Sequence, residues 1–369
     1  MKKYNNRRDR KKNNKKNNTK QYYSFFRTIF KLILKLIIIL GLIYVLFVYT
    51  NRLNENISED KTLKTYQEIL KNDINFAKYT EIDLSKKLND KNTYKYMSKN
   101  ITIYNLTDNE IISVKKNNHQ LRQEKCVPAS ITKLFLVKYV VDNLDINSKV
   151  TVGNELSLLG LYDTRAGIKE GYTYTIDELI KCALLPSGGD AVYTLSKAII
   201  NKKENRELST NIDTNRIVKE SSEILNKYFK ELGFNDTQIT DSTGIREDTN
   251  IGVMDILKLS KLLLKDEYIP NITSKHRIRL NNLNGVQYLE NTNKFINQQS
   301  IFYDKNVKGL KTGTLDDWSN ILVLLKYNGK EYIILQTGAK SDIQRYNDVY
   351  SATQLIYNGG YNEDNSTKN

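Results

Sequence analysis

Between Ile29 and Tyr49 the chain reads IFKLILKLIIILGLIYVLFVY, an apolar run whose charges are Lys31 and Lys35 alone. About 20 residues rising 1.5 Å each cross the ~30 Å hydrocarbon layer of a bilayer, and lysines near the end of such a run can snorkel to the interface. Tyr22, Tyr23, Phe25 and Phe26 stand where interfacial aromatics belong. The run exceeds the core of a usual signal peptide, and no small-x-small site follows it in VYTNRLNEN. Residues 29–50 are therefore read as an uncleaved transmembrane helix.

Charge sets its direction. Thirteen of the 57 Lys and Arg residues precede residue 36, against the single acid Asp9, whereas Arg52 on the far side stands beside Glu55, Glu59 and Asp60. By the positive-inside rule residues 1–28 are a cytoplasmic tail and everything after Thr50 is extracellular. The tail, rich in Lys, Arg and Asn, has no apolar pattern and is expected to be disordered and drawn to anionic headgroups. Outside residues 1–35 the formal net charge of +15 all but disappears, leaving 44 basic against 41 acidic residues. A nucleic-acid partner is therefore not expected. Cys126 and Cys182 are too few for a disulfide framework and lack metal-ligand spacing; whether they pair stays open.

Residues 51–98 are charged with few core positions and read as a stalk or small packing appendage, and a catalytic domain is expected over 99–360 before a disordered tail, 361–369. ITIYN and IISV flank the turn-like LTDNE as a first hairpin, and ILVLLKY and KEYIIL form a second across Asn328-Gly329. Helical patterns lie between them, and another, SDIQRYNDVYSATQLIY, follows. The expected fold class is mixed α/β (α+β), an antiparallel sheet with flanking helices.

With two histidines in the chain, His119 and His276, neither in a G-x-S-x-G or H-E-x-x-H setting, a hydrolytic base must come from another residue type. The strongest candidate pair is Ser130 and Lys133 in PASITKLFL, because residues three apart share a helix face and burial of a helix start can deprotonate an amine. Ser58-x-x-Lys61 and Ser113-x-x-Lys116 have the same spacing without the apolar helix. Lys311-Thr312-Gly313-Thr314 precedes the second hairpin, where Lys311 can attract a carboxylate, Thr312 can hydrogen-bond it, and Gly313 can admit a substrate backbone beside the strand. Ser187 in LLPSGGDA can relay a proton or simply cap the next helix.

The ordered set Ser130-x-x-Lys133, Ser187-Gly188-Gly189 and Lys311-Thr312-Gly313 resembles the serine penicillin-binding proteins and β-lactamases. KEGYTYTIDELIKCALLPSGGDAVYTLSKAI and KYFKELGFNDTQITDSTGI narrow the resemblance to the D-alanyl-D-alanine carboxypeptidases, over about residues 100 to 357. The resemblance implies a DD-peptidase-like fold with a helical subdomain, no metal or organic cofactor, peptidoglycan stem peptides ending in D-Ala-D-Ala as substrate, and β-lactams as covalent inhibitors. It makes Ser130 the acylated nucleophile, Lys133 its base, Ser187 a proton relay, Lys311 and Thr312 the carboxylate clamp, and the Ser130 and Thr314 N–H groups the oxyanion hole. Gly189 departs from it, standing where the family's second motif carries Asn; Asp190 is a candidate substitute. A β-lactamase and a catalytically weakened wall-binding scaffold are the alternatives.

Overall fold

The structure, a computed structural model, describes residues 27, 29–51, 61–70, 77–81, 97–114, 118–282 and 285–359. The disordered tails expected at 1–28 and 361–369 lie outside the described residues, Arg27 apart. The chain divides into two compact units, Met1–Thr62 and Leu63–Asn369. The described core of the first is helix α1 (Ile29–Asn51), long and apolar enough to cross a membrane, with none of its apolar window buried.

The second unit is built on a six-stranded sheet in the order β1-β3-β2-β13-β12-β11. Its strands are β1 (Lys78–Glu81), β2 (Asn100–Asn105), β3 (Glu110–Ser113), β11 (Val307–Leu315), β12 (Trp318–Tyr327) and β13 (Lys330–Ala339). All pairings are antiparallel except β1 with β3. Asn328 and Gly329 join β12 to β13 with φ of 49° and 73°, the left-handed pair a two-residue hairpin of matching twist requires.

Strand alternation sends side chains to two separate cores. Ile321, Val323 and Leu325 face one, closed by Tyr346, Val349, Ala352 and Ile356 of α10 (Asp342–Tyr357). Leu322 and Leu324 face the other, larger one. That face carries α3 (Asn118–Gln123), α4 (Lys133–Asn143), α5 (Ile176–Leu184), α6 (Gly189–Glu204), α7 (Thr214–Glu231), α8 (Val253–Leu263) and α9 (Tyr268–Thr273). Small sheets stitch the helices together: β4 (Lys125–Cys126) and β7 (Thr237–Gln238) flank β8 (Asn250–Gly252), β5 (Lys149–Thr151) pairs β6 (Thr173–Thr175), and β9 (Arg277–Asn282) pairs β10 (Gly285–Glu290).

Part of the segment expected as a stalk is built into this unit. Beyond β1, helix α2 (residues 61–70) buries Tyr66 and Leu70. The Tyr66 hydroxyl donates to Asp142 at 2.9 Å and accepts from the buried Lys138 ammonium at 2.6 Å, which also pairs with Asp142 at 2.7 Å. A lysine inside α4 is tolerable only with such partners. Cys126 and Cys182 are both buried and free.

Candidate active site

Helix α4 is entered through one tight 3-10 turn, Ala129–Thr132, which puts Ser130 a turn ahead of Lys133. Ala129 holds φ of 51°, a left-handed conformation that costs a non-glycine residue ~1–2 kcal/mol and persists where neighbours enforce it. Two bare backbones close on it. A Cβ at Gly313 of β11 would lie 2.5 Å from the Pro128 carbonyl oxygen and 3.1 Å from the Ser130 nitrogen; a Cβ at Gly244, itself at φ of 75°, would run into the Ala129 carbonyl. At Gly313 the protein's own chain takes the space a side chain would fill.

Lys133 is almost completely buried. Its Nζ lies 2.7 Å from Ser130 Oγ and donates to the Thr243 carbonyl at 2.6 Å. Burial pulls the Lys133 ammonium down to about 8, against the opposing charges of Asp241, Asp163 and Asp190. Roughly a tenth of such amines are then neutral at pH 7. A neutral amine donating to the Thr243 carbonyl, a pure acceptor, keeps a lone pair that can accept the Ser130 proton, as a general base requires. The loop supplying that carbonyl is shaped by Asp241, which accepts from the Tyr193 hydroxyl at 2.8 Å and the Thr243 N–H at 2.7 Å.

Ser187 stands between α5 and α6, buried, at φ of 63°. Gly188, not Ser187, is the N-cap of α6, and no side chain caps it. Asp190, a candidate to replace the missing amide, points elsewhere. Its carboxylate accepts from the N–H groups of Ala166, Gly167 and Ile168 at 2.8, 2.8 and 3.2 Å, bracing the loop beside the cleft. A Cβ at Gly189 would meet Leu159 Cδ2 at 2.7 Å, so an apolar side chain fills the direction an amide at 189 would take.

Ser130, Ser187, Thr312 and Thr314 line one cleft of about 530 Å³. Lys311 lies beneath this surface, almost completely buried, with Nζ donating to the Thr312 carbonyl at 3.1 Å. Burial, then the charges of Lys133 and Arg345, hold its ammonium well below the ordinary lysine range. The Thr312 and Thr292 hydroxyls are 2.6 Å apart.

Arg345 of α10 also lines the cleft, and no sequence pattern pointed to it. Its Nη1 donates at 3.1 Å to the Gly313 carbonyl, the Thr314 hydroxyl and the Asn320 carbonyl, while Nη2 pairs with Asp342. The site thus offers a hydroxyl beside a desolvated amine and, at the edge strand, hydroxyls backed by the Arg345 guanidinium and the buried Lys311 amine. Among the described residues no group of three or more His, Cys, Asp or Glu is placed to hold a metal ion. Of the other Ser-x-x-Lys pairs, Ser113 closes β3 and Ser58 lies outside the described residues.

Residues 216–337, about a third of the chain, match the family model described as D-alanyl-D-alanine carboxypeptidase. The D-alanyl-D-alanine carboxypeptidase DacF of Bacillus subtilis is 28% identical over 197 residues, 52% of this chain and 45% of that protein. The chain thus spans about half the length of that relative. A D-alanyl-D-alanine endopeptidase of Haemophilus influenzae is 21% identical over 261 residues, 70% of this chain and 81% of that protein. Among solved structures, the Streptomyces K15 DD-transpeptidase superposes with a TM-score of 0.59 at 19% identity, covering 72% of this chain and 98% of that one. Penicillin-binding protein D2 of Listeria monocytogenes, in its ampicillin-bound form, gives 0.54 at 21% identity over 73% and 100% of the two chains. The chain has the fold of the serine DD-peptidases and is related to the D-alanyl-D-alanine carboxypeptidases.

Proposed function

We propose that this chain is a membrane-anchored serine D-alanyl-D-alanine carboxypeptidase acting outside the cell on peptidoglycan stem peptides. The observation that carries the reading is the desolvated Lys133 amine 2.7 Å from the Ser130 hydroxyl, in a cleft shared with Ser187 and Thr312.

In this reading Lys133 takes the Ser130 proton as Oγ attacks the carbonyl of the penultimate D-alanine. The N–H groups of Ser130 and Thr314 hold the tetrahedral oxyanion, where losing one donor typically costs ~3–4 kcal/mol. Ser187 passes the proton to the departing amine, D-alanine leaves, and water releases the acyl group from Ser130. Thr312 binds the terminal carboxylate in the field of Lys311 and Arg345. The same nucleophile reacts with the strained amide of a β-lactam.

Helix α1 serves as the anchor, with the basic residues 1–28 in the cytoplasm and the larger unit outside. A labelled cysteine at position 20 protected from impermeant maleimide in intact cells, with one at position 340 reactive, supports that orientation; the reverse pattern sinks it.

Mass spectrometry of the protein after incubation with benzylpenicillin tests the chemistry: an adduct on Ser130 and release of D-alanine from a stem pentapeptide are expected. A catalytically weakened binding protein, the reading Gly189 and Leu159 favour, would show no adduct, and rapid nitrocefin turnover would favour a β-lactamase.

A further inference from the structure

We propose that a second cavity, at the opposite end of β11 from the nucleophile, binds a polyanion of phosphodiester-linked, non-aromatic units through Lys275, Lys305 and Lys308. This cavity, of about 590 Å³, is comparable in size to the cleft, and its wall includes Val307, the first residue of β11. Thr312 lies five positions along the strand from Val307, or about 16 Å.

Its charge is one-sided. Lys275, His276, Arg277, Lys305 and Lys308 line it against a single acid, Asp304. That carboxylate is already engaged, accepting from the Asn306 N–H at 2.9 Å and the Tyr357 hydroxyl at 2.5 Å. Arg277 is paired with Glu290. Lys308 Nζ reaches only the Lys305 carbonyl, at 2.7 Å, and among the described residues Lys275, Lys305 and Lys308 have no carboxylate partner. Outside residues 1–35 the sequence holds 41 acids against 44 basic residues, so composition alone does not predict a concave surface with three unpaired lysines. Like charges gathered in a hollow repel one another and focus potential on whatever anion enters.

The hollow is also preformed. Phe295, Phe302 and Tyr346 cluster under the loop that forms its wall, with ring centroids 5.1 to 6.2 Å apart. The Tyr346 hydroxyl accepts from the Lys294 N–H at 3.0 Å and donates to the Thr292 carbonyl at 3.1 Å. Binding there orders little backbone, which favours affinity.

The donors select the ligand class. Lysine binds phosphate oxygens as a point charge with three rotatable donors, without the planar fork that matches a carboxylate, and the side-chain amides of Asn297 and Gln298 add neutral donors. Single-stranded nucleic acid is held on successive stacking aromatics, whereas the wall offers only Tyr303 and His276, from segments far apart in the chain.

The test is a lysine footprint on the full chain in detergent micelles, by reductive methylation with site-resolved mass spectrometry. The probe is poly(glycerol phosphate), compared with poly-L-glutamate and oligo-dT at equal charge. Lys275, Lys305 and Lys308 are expected to be protected about fivefold or more by poly(glycerol phosphate), and the protection should fall away as salt rises through ~0.5 M. Protection confined to the lysines before residue 36, or equal protection by poly-L-glutamate, overturns the proposal, and stronger protection by oligo-dT replaces it with nucleic-acid binding. The variant K275S/K305S/K308S should keep penicillin labelling of Ser130 and lose about tenfold in affinity for the probe; an unchanged affinity also overturns it.

Discussion

The Lys133 amine nitrogen lies 2.7 Å from the Ser130 hydroxyl oxygen and is fixed from behind by the Thr243 carbonyl, 2.6 Å away. Because burial lowers this amine to about 8, its neutral form grows as pH rises through that value. The second-order rate of benzylpenicillin acylation should therefore climb roughly tenfold between pH 7 and pH 9. Ser130→Ala should abolish labelling, and Lys133→Arg should reduce it by at least ~10³, because a guanidinium does not deprotonate. A rate flat across that range would remove Lys133 from the role of base.

Gly313→Ala introduces a methyl group 2.5 Å from the Pro128 carbonyl oxygen. Overpacking of this kind typically costs ~1–3 kcal/mol, or a few degrees in Tm for a domain of this size. Since the displaced atoms include the turn that carries Ser130, acylation should slow more than the stability loss alone explains. Calorimetry and stopped-flow labelling on the same variant separate the two effects.

Gly189→Asn should not improve acylation by itself, because its side chain projects into Leu159 Cδ2. Combined with Leu159→Ala, which vacates that direction, it should raise the acylation rate several-fold above Leu159→Ala alone. A faster single variant would show that Leu159 yields freely.

Asp190→Ala removes the acceptor of three backbone N–H groups of residues 166–168. Hydrogen bonds to a charged acceptor contribute ~1.5–3 kcal/mol each, not additively, so a loss of about 3 kcal/mol or more is expected. Hydrogen exchange should rise at those three amides while the Ser130–Lys133 pair still labels. Unchanged protection there would mean that other contacts hold the loop.

The pair Ser130–Lys133 was legible because a three-residue spacing on a helix is a local rule, as was the Asn328-Gly329 turn. The Thr243 carbonyl, 110 positions from its lysine, was not: a backbone acceptor carries no side-chain signature. Arg345 hid inside a helix recognised from its apolar residues, where a single cation carries no signal of its own. Residues 63–70 looked like a stalk because the face that docks, Leu63, Tyr66, Ile69 and Leu70, is only two turns long and set among charged neighbours. Gly189 was read as a lost amide; that Leu159 occupies the space is a tertiary fact.

The left-handed turn at Ala129 is clasped by Gly244 on one side and Gly313 on the other, from segments more than a hundred residues downstream. If Ser130 is the nucleophile proposed above, a nascent or partly unfolded polypeptide displays an ordinary, unreactive serine, and the hydroxyl is armed only when the last strands have docked. Under the proposed mechanism, covalent capture of a β-lactam would double as a readout of completed folding.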